Sequence, residues 1–383
     1  MEELGKGFKL KIILVGVLPS SLTNFRGELI KKYVSTGFPV ETYCSGATSE
    51  DIEKVRLLGA ECYNYSVARN GLNPLKDFST LYQLTNVTRE SVQKKVLAYT
   101  IKPIIWGGIA SRFSSNTSFY ALVTGLGYAF QPGGKLKLVL MVLVRSLYRS
   151  ALKSSHAVIF QNRDNMKIFI DERIVPKEKC FLVNGSGVDL SHYKTSPLPS
   201  KAHFLLIARL LGDKGIREYV KAANLVKQKY PYAVFELVGP EDPSPDGIKL
   251  GEVDKWVESG AIEYSGATAD VRPFIENCSI YVLPSYHEGM PRTVLEAMAM
   301  GRPILTTDVP GCRETVVNGE NGWLVEKANV EQLAERMIWF IENQDKWSLM
   351  GEKSHTMANE KFDVHKVNAE ILKIMGLSDE KTV

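Results

Sequence analysis

The sequence has no CxxC pair among its five cysteines, no HxxxH or HExxH among its six histidines, and no apolar run long enough to cross a bilayer. Each absence closes a class. Cysteines scattered at Cys44, Cys62, Cys180, Cys278 and Cys312 make neither a disulfide framework nor a zinc site, and they fit a reducing compartment. The longest apolar candidate, Leu138 to Val144, is far short of the roughly 18 residues a spanning helix needs. Glu2 and Glu3 precede a short apolar stretch, Ile12 to Leu18, which does not read as a signal peptide. The expectation is a cytoplasmic protein, peripheral on the inner face of the cell membrane. There is no GxxxxGK(S/T) loop, so phosphoryl transfer from ATP is disfavoured.

What remains is an ordinary globular composition. The 383 residues are 44% hydrophobic and 23% charged, enough for two domains with a core each. Charge is uneven. Residues 1–195 hold 26 Lys and Arg against 15 Asp and Glu, whereas residues 196–383 hold 21 against 28. Ser91 to Arg163 contains ten bases and no acid, which suits a partner rich in negative charge. No helix-turn-helix or RNA-binding signature accompanies these bases, so nucleic acid is not the expected partner. Within that stretch, KLKLVLMVLVRSLYRSALK (Lys135 to Lys153) suits a helix lying on an anionic membrane surface. It equally suits a buried helix with snorkelling ends.

Short apolar runs alternate with longer mixed segments through both halves. Leu10–Val17, Val40–Cys44, Ala60–Tyr65, Val96–Ile101, Ser118–Val123 and Ala157–Phe160 read as strands, and Arg26–Thr36 and Asp51–Leu58 as helices stopped by Gly37 and Gly59. TSPLPSK at Thr195 to Lys201 reads as a linker, after which the alternation restarts. The expectation is an α/β protein with an N-terminal domain at 1–195 and a C-terminal domain at 196–383, the last helix crossing back if it packs on the first. Each domain would carry a parallel sheet built from right-handed βαβ units, with ligand between them at the carboxyl ends of the strands.

Two segments of the second half carry chemistry. In LPSYHEGMPRTVLEAMAMG (283–301) a strand ends, a turn carries Glu288 and Gly289, and Pro291 opens a helix stopped by Gly301. Free amides at that helix start attract anions or hydroxyls. Glu288 and Glu296, about two helical turns apart, can accept hydrogen bonds from hydroxyls on two parts of one ligand, such as a sugar and a ribose. In ARLLGDKG (208–215) a strand runs into a loop bearing Arg209 and Lys214. A guanidinium fork and a point charge together suit a diphosphate. Taken singly, each of these side chains is equally readable as a solvated loop or helix charge.

Together, ARLLGDKGIREYVKAA and YSGATADVRPFIENCSIYVLPSYHEGMPRTVLEAMAMGRPILTTDVPGCRETVVNGENGWLV resemble glycosyltransferase family 4, of the GT-B fold: two Rossmann-like domains facing across a cleft. The likeness covers nearly all of the second half. It implies a retaining transferase using a nucleotide-sugar donor. By motif, Arg209 and Lys214 would hold the donor diphosphate, Glu288 the sugar hydroxyls and Glu296 the ribose. Gly289, Met290 and Pro291 would offer backbone amides. Catalytic roles would fall to Arg209, Lys214 and Glu288, with no metal, because no DxD pair is present.

The first half resembles the family more loosely. Gly16 and PSSLTNFR (19–26) stand where the family faces the donor phosphates, with Asn24 and Arg26 as acceptor candidates, although the common two-glycine form is missing. YTIKP (99–103) and ALVTGLG (121–127) look like a subgroup that builds bacterial surface polysaccharides and lipid-linked oligosaccharides, including enzymes that move N-acetylgalactosamine from a UDP-sugar to an undecaprenyl-diphosphate sugar. The resemblance implies a polyprenyl-diphosphate-linked acceptor, with Lys102 on its diphosphate and Thr124 and Gly125 near its sugar. A GT-B enzyme on a soluble acceptor, a sugar-nucleotide epimerase and a non-catalytic sugar-binding protein stay open as alternatives.

Overall fold

The structure, a computed structural model, describes residues 10–68, 73–89, 91–126, 130 and 135–377; the side chains of 135–137 are not described. Gly127 and the Lys135 and Lys137 side chains therefore lie outside the described residues. The chain divides into two compact units, Met1–Ser186 with Val367–Val383, and Gly187–Lys366. Thr195–Lys201, expected as the linker, falls inside the second unit.

The first unit strings together β1 (Leu10–Val15), α1 (Pro19–Val34), β2 (Val40–Cys44), α2 (Ser49–Arg56), β3 (Glu61–Asn64), α3 (Pro74–Arg89), β4 (Gln93–Tyr99), α4 (Ile101–Ser111), β5 (Thr117–Val123), α5 (Lys135–Leu152), β6 (Ala157–Phe160), α6 (Arg163–Asp171) and β7 (Cys180–Leu182). Its strands pair in parallel in the order β3-β2-β1-β4-β5-β6-β7. Order reverses between β1 and β4, the switch point where open α/β sheets leave a crevice for ligand. β1 is buried on both faces, as a central parallel strand must be. Ile13 and Val15 enter the core beneath α3, α4 and α5, while Ile12 and Leu14 enter the core beneath α1 and α2.

Two local differences from the sequence pattern matter. The helix expected from Arg26 begins at Pro19, so PSSLTNFR is its first two turns and not a loop. Pro19 suits a first turn, and Leu22, Leu29, Ile30 and Tyr33 extend one buried stripe. IKPIIWGGIAS is a helix, α4, where the pattern had only the end of a strand. Its glycines admit close neighbours: a Cβ on Gly108 would stand 2.6 Å from the Ala151 carbonyl oxygen of α5.

The second unit runs β8 (His203–Ile207), α7 (Ile216–Lys229), β9 (Val234–Val238), α8 (Leu250–Glu258), β10 (Glu263–Tyr264), α9 (Arg272–Asn277), β11 (Ile280–Leu283), α10 (Arg292–Ala299), β12 (Ile304–Thr307), β13 (Gly322–Val325), α11 (Val330–Glu342) and α12 (Trp347–Lys361). Its parallel order, β10-β9-β8-β11-β12-β13, again reverses beside the first strand, here between β8 and β11. The last helix, α13 (Val364–Ile374), returns the chain to the first unit. Val367, Ile371, Leu372 and Met375 enter the core beneath α1, and the Tyr33 hydroxyl meets the Met375 sulfur at 2.9 Å.

Candidate active site

In the second unit, everything of interest gathers at the β8/β11 switch point. The chain leaves β8 into the 208–215 loop and leaves β11 into the 284–291 loop. The two are stitched together: Tyr286 N–H donates to the Asp213 carbonyl at 2.8 Å, and Ser285 Oγ donates to the same oxygen at 3.2 Å. Gly215 has φ +71°, and a Cβ there would strike the Pro284 carbonyl, so only glycine lets the loops lie this close. A third loop supports the second. Gly311, at φ +85°, lies where a Cβ would meet the Glu288 carbonyl oxygen at 2.6 Å.

This stitching brings Lys214 and Glu288 together at 2.7 Å, with both side chains mostly buried. Burial alone would lower the Lys214 pKa, but the charge and hydrogen bond of Glu288 outweigh it, and the ammonium is held above its ordinary range. Arg209 is paired too, with Asp242 on the loop after β9. Burial works to raise the Asp242 pKa, but hydrogen bonds from Ser244 and the Arg209 charge hold it low. Both expected diphosphate cations therefore sit at one strand end, each paired with a carboxylate.

Glu296 lies on α10, whose buried face is Val294, Leu295, Met298 and Ala299 and whose end is set by Gly301 at φ +78°. It is 5% exposed. Its Oε1 accepts from the Tyr193 hydroxyl at 2.8 Å and from Arg292 Nε at 2.8 Å. Burial raises its pKa against the pull of Arg292. One oxygen is thus committed inside the unit, and a ribose would have to use the other or displace Tyr193. Met290 packs on the core beneath α10, and Pro291 stands at the helix entry with no side-chain cap.

Sequence reasoning missed Asp213 and His287. Asp213 Oδ1 and His287 Nε2 are buried with no hydrogen-bond partner, beside Lys214 and Glu288. Burial raises the Asp213 pKa and lowers that of His287. The signal was the flanking position: each precedes a nominated residue by one.

In the first unit the β1/β4 switch point holds Lys102, whose Nζ meets Asp77 Oδ1 at 2.8 Å. Just before it, Thr100 has φ +68°, a conformation costing ~1–3 kcal/mol outside glycine, and its hydroxyl is buried without a partner. Thr124 and Gly125 follow β5 and are half-buried; a Cβ on Gly125 would meet nothing within 4 Å, which leaves open space there.

Two nominated residues already have partners inside the first unit. The Gly16 N–H donates to the Tyr43 carbonyl at 2.9 Å, and the Gly16 carbonyl accepts from the Tyr65 hydroxyl at 2.7 Å. Its small size is explained by the Tyr99 ring, which a Cβ would strike. Arg26 is 4% exposed, and its guanidinium lies over the Tyr99 ring at 5.3 Å. Asn24 stays exposed on α1. Lys135–Lys153 divides: Val144, Tyr148, Ala151 and Leu152 are buried, while Leu138, Val139, Val142 and Leu143 face outward.

A sequence profile described as Glycosyl transferases group 1 matches residues 201–343. Over 340 residues, 85% of this chain and 88% of its relative, the sequence is 30% identical to the N,N'-diacetylbacillosaminyl-diphospho-undecaprenol alpha-1,3-N-acetylgalactosaminyltransferase of Campylobacter jejuni. The chain belongs to the group 1 glycosyl transferases. This glycosyltransferase is also 24% identical, over 71% of its length and 72% of the relative's, to the UDP-Gal:alpha-D-GlcNAc-diphosphoundecaprenol alpha-1,3-galactosyltransferase of Escherichia coli. Anabaena HepE in complex with UDP matches 96% of the transferase with a TM-score of 0.77 at 18% identity, covering 99% of that chain. At that identity the likeness speaks for the fold, GT-B with two Rossmann-like domains.

Proposed function

We propose that this glycosyltransferase moves a hexose, N-acetylgalactosamine or a close relative, from a UDP-sugar to a polyprenyl-diphosphate-linked saccharide with retention of configuration, in bacterial glycan assembly. The observation that carries the reading is the β8/β11 crevice, where Arg209 and Lys214 follow one strand and Glu288 the next, with Lys214 and Glu288 in contact. The names of the Campylobacter and Escherichia relatives support the donor and acceptor classes.

Donor diphosphate displaces Asp242 from Arg209 and Glu288 from Lys214. The freed Glu288 carboxylate then accepts from sugar hydroxyls, Glu296 takes the ribose through its remaining oxygen, and the Gly289–Pro291 backbone lines the donor. The acceptor oxygen bonds to the anomeric carbon on the face the diphosphate leaves. The breaking bond's electron pair goes to the diphosphate, which also takes the acceptor proton. Arg209 and Lys214 stabilise the charge that develops there. Lys102, with Thr124 and Gly125 nearby on the same sheet edge, receives the acceptor diphosphate and sugar, releasing Asp77. In this reading the protein works at the cytoplasmic face of the membrane that anchors the lipid-linked acceptor, and its basic first half is drawn to anionic lipid.

The test is a panel of UDP-, GDP- and ADP-sugars offered with a short-chain polyprenyl-diphosphate sugar, the product being identified by mass. Transfer from a UDP-hexose is expected, and it should persist in excess EDTA because the two cations supply the charge. Loss of turnover in EDTA would overturn the metal-free part, and hydrolysis or epimerisation without transfer would overturn the whole.

A further inference from the structure

A helix covering a sheet normally turns charge outward and apolar residues inward. α3 does the reverse along part of its length. Its outward stripe is Leu75, Phe78 and Tyr82, exposed by 84%, 71% and 62%. Its acid, Asp77, is buried against Lys102. Phe113, just past α4 and 59% exposed, leans over the same stripe. With Phe78, Tyr82 and Arg89 it borders a shallow groove of about 180 Å³. α4 packs between α3 and α5, and on its far side the first half of α5 exposes Leu138, Val139, Val142 and Leu143.

The exposed charge that α3, α4 and α5 themselves carry has one sign among the described residues. Among the described residues from 74 to 153, Asp77 is the one carboxylate, and it is buried. Lys76, Arg89, Arg112 and Lys153 are exposed. Arg145 and Arg149 contribute less than the sequence suggested, because Arg145 pairs with the Glu172 carboxylate at 2.8 Å and Arg149 donates to the Glu172 carbonyl at 2.7 Å. Exposed aromatics and aliphatics on two helices that carry exposed cations, and no exposed carboxylate among their described residues, match a surface apolar within and anionic at its rim. That is the chemistry of a bilayer leaflet.

We infer that the outward faces of α3 and of the first half of α5 form a docking surface for an anionic lipid bilayer, with α3 and Phe113 as one leg and the first half of α5 as the other. It deepens the lipid-linked-acceptor reading and rests on it. Lys102, at the start of α4, lies between the legs, so an acceptor diphosphate held there stays near the leaflet that anchors its polyprenyl chain.

The full chain is sedimented with vesicles of phosphatidylcholine alone and with vesicles containing phosphatidylglycerol. Wild type should bind the anionic vesicles preferentially, and less so as salt rises. The double variants F78S/Y82S and L138S/V142S should each weaken that binding by about tenfold or more. These positions are exposed, so thermal melts should match wild type. Turnover of a short-chain, water-soluble acceptor should be unchanged. Wild type failing to bind vesicles, or F78S/Y82S binding as wild type does, would overturn the inference. So would self-association of wild type in ultracentrifugation that both variants abolish, because a second copy would then cover the face. Absence of transfer to the soluble acceptor is a separate result, and it counts against the enzymatic reading alone.

Discussion

Arg209, Lys214 and Glu288 form a site in which each cation already holds a carboxylate. The Lys214–Glu288 pairing keeps the crevice from burying bare charge, and in the proposed reading donor diphosphate replaces the carboxylates without leaving a cation unpaired. Arg209→Ala and Lys214→Ala should each lower kcat/KM about 10²- to 10³-fold, corresponding to ~3–4 kcal/mol of lost charge stabilisation, in steady-state assays with the accepted nucleotide sugar. Near-normal rates would remove the residue from the mechanism. His287 carries a pH consequence. Burial and the nearby Lys214 and Lys327 lower its pKa, against Glu288 and Asp213, which raise it. The unfolded chain therefore takes the proton first as pH falls below about 6.5, so the stability His287 contributes is present above that pH and is lost towards its lower folded pKa. His287→Gln should narrow the drop in melting temperature between about pH 7.5 and about pH 5.5 relative to wild type, and an unchanged drop would show that other groups carry it.

At the level of elements, glycines decide how closely loops and helices approach. Gly215→Ala would force the 212–214 turn from Pro284 and put alanine at φ +71°. The expected cost is about 2 kcal/mol or more of unfolding free energy, with donor Kd rising alongside, by denaturant titration and calorimetry. Loss of stability without weaker donor binding would mean that the loop contact is structural alone. α4 shows why some elements escape a reading of pattern. Its apolar run with Pro103, Gly107 and Gly108 lacks a polar face, because α3, α5 and the sheet surround it. A helix buried nearly all round has no period to detect. α1 was shortened for the opposite reason: Ser20, Ser21, Thr23 and Asn24 look like turn residues, yet Pro19 starts the helix and Leu22 already belongs to its buried stripe.

For the whole molecule, the return of α13 makes the first unit discontinuous in sequence. Lys95 Nζ donates to the Gly376 carbonyl at 2.9 Å, and the Tyr120 hydroxyl to that of Met375 at 3.3 Å, so the C-terminal end of this helix is capped by the first unit's own side chains. Val367, Ile371, Leu372 and Met375 are each worth ~1.5–3 kcal/mol when buried. Their sum rivals the whole stability of a typical domain, ~5–15 kcal/mol. Truncation after Lys366 should therefore lower the melting temperature of the first unit or leave the chain insoluble, although no residue of 10–186 has changed. A truncated chain melting as the intact one does would contradict this packing.

The motifs at 208–215 and 283–301 were legible because their chemistry is local. A strand end, a glycine turn and a helix start occur in consecutive residues, and Gly215 and Gly301 do what their positions imply. Alternation of apolar runs likewise announced two α/β domains, since each βαβ unit is contiguous. Side-chain partners were not legible. Asp242 reaches Arg209 across 33 residues, Tyr193 reaches Glu296 across 103, and Met375 reaches Tyr33 across 342. Whether Arg26 faced a ligand or the Tyr99 ring, and whether Phe78 faced the core or solvent, depended on which surfaces the sheet and its helices left uncovered. Packing sets that across the fold, and no window of sequence contains it.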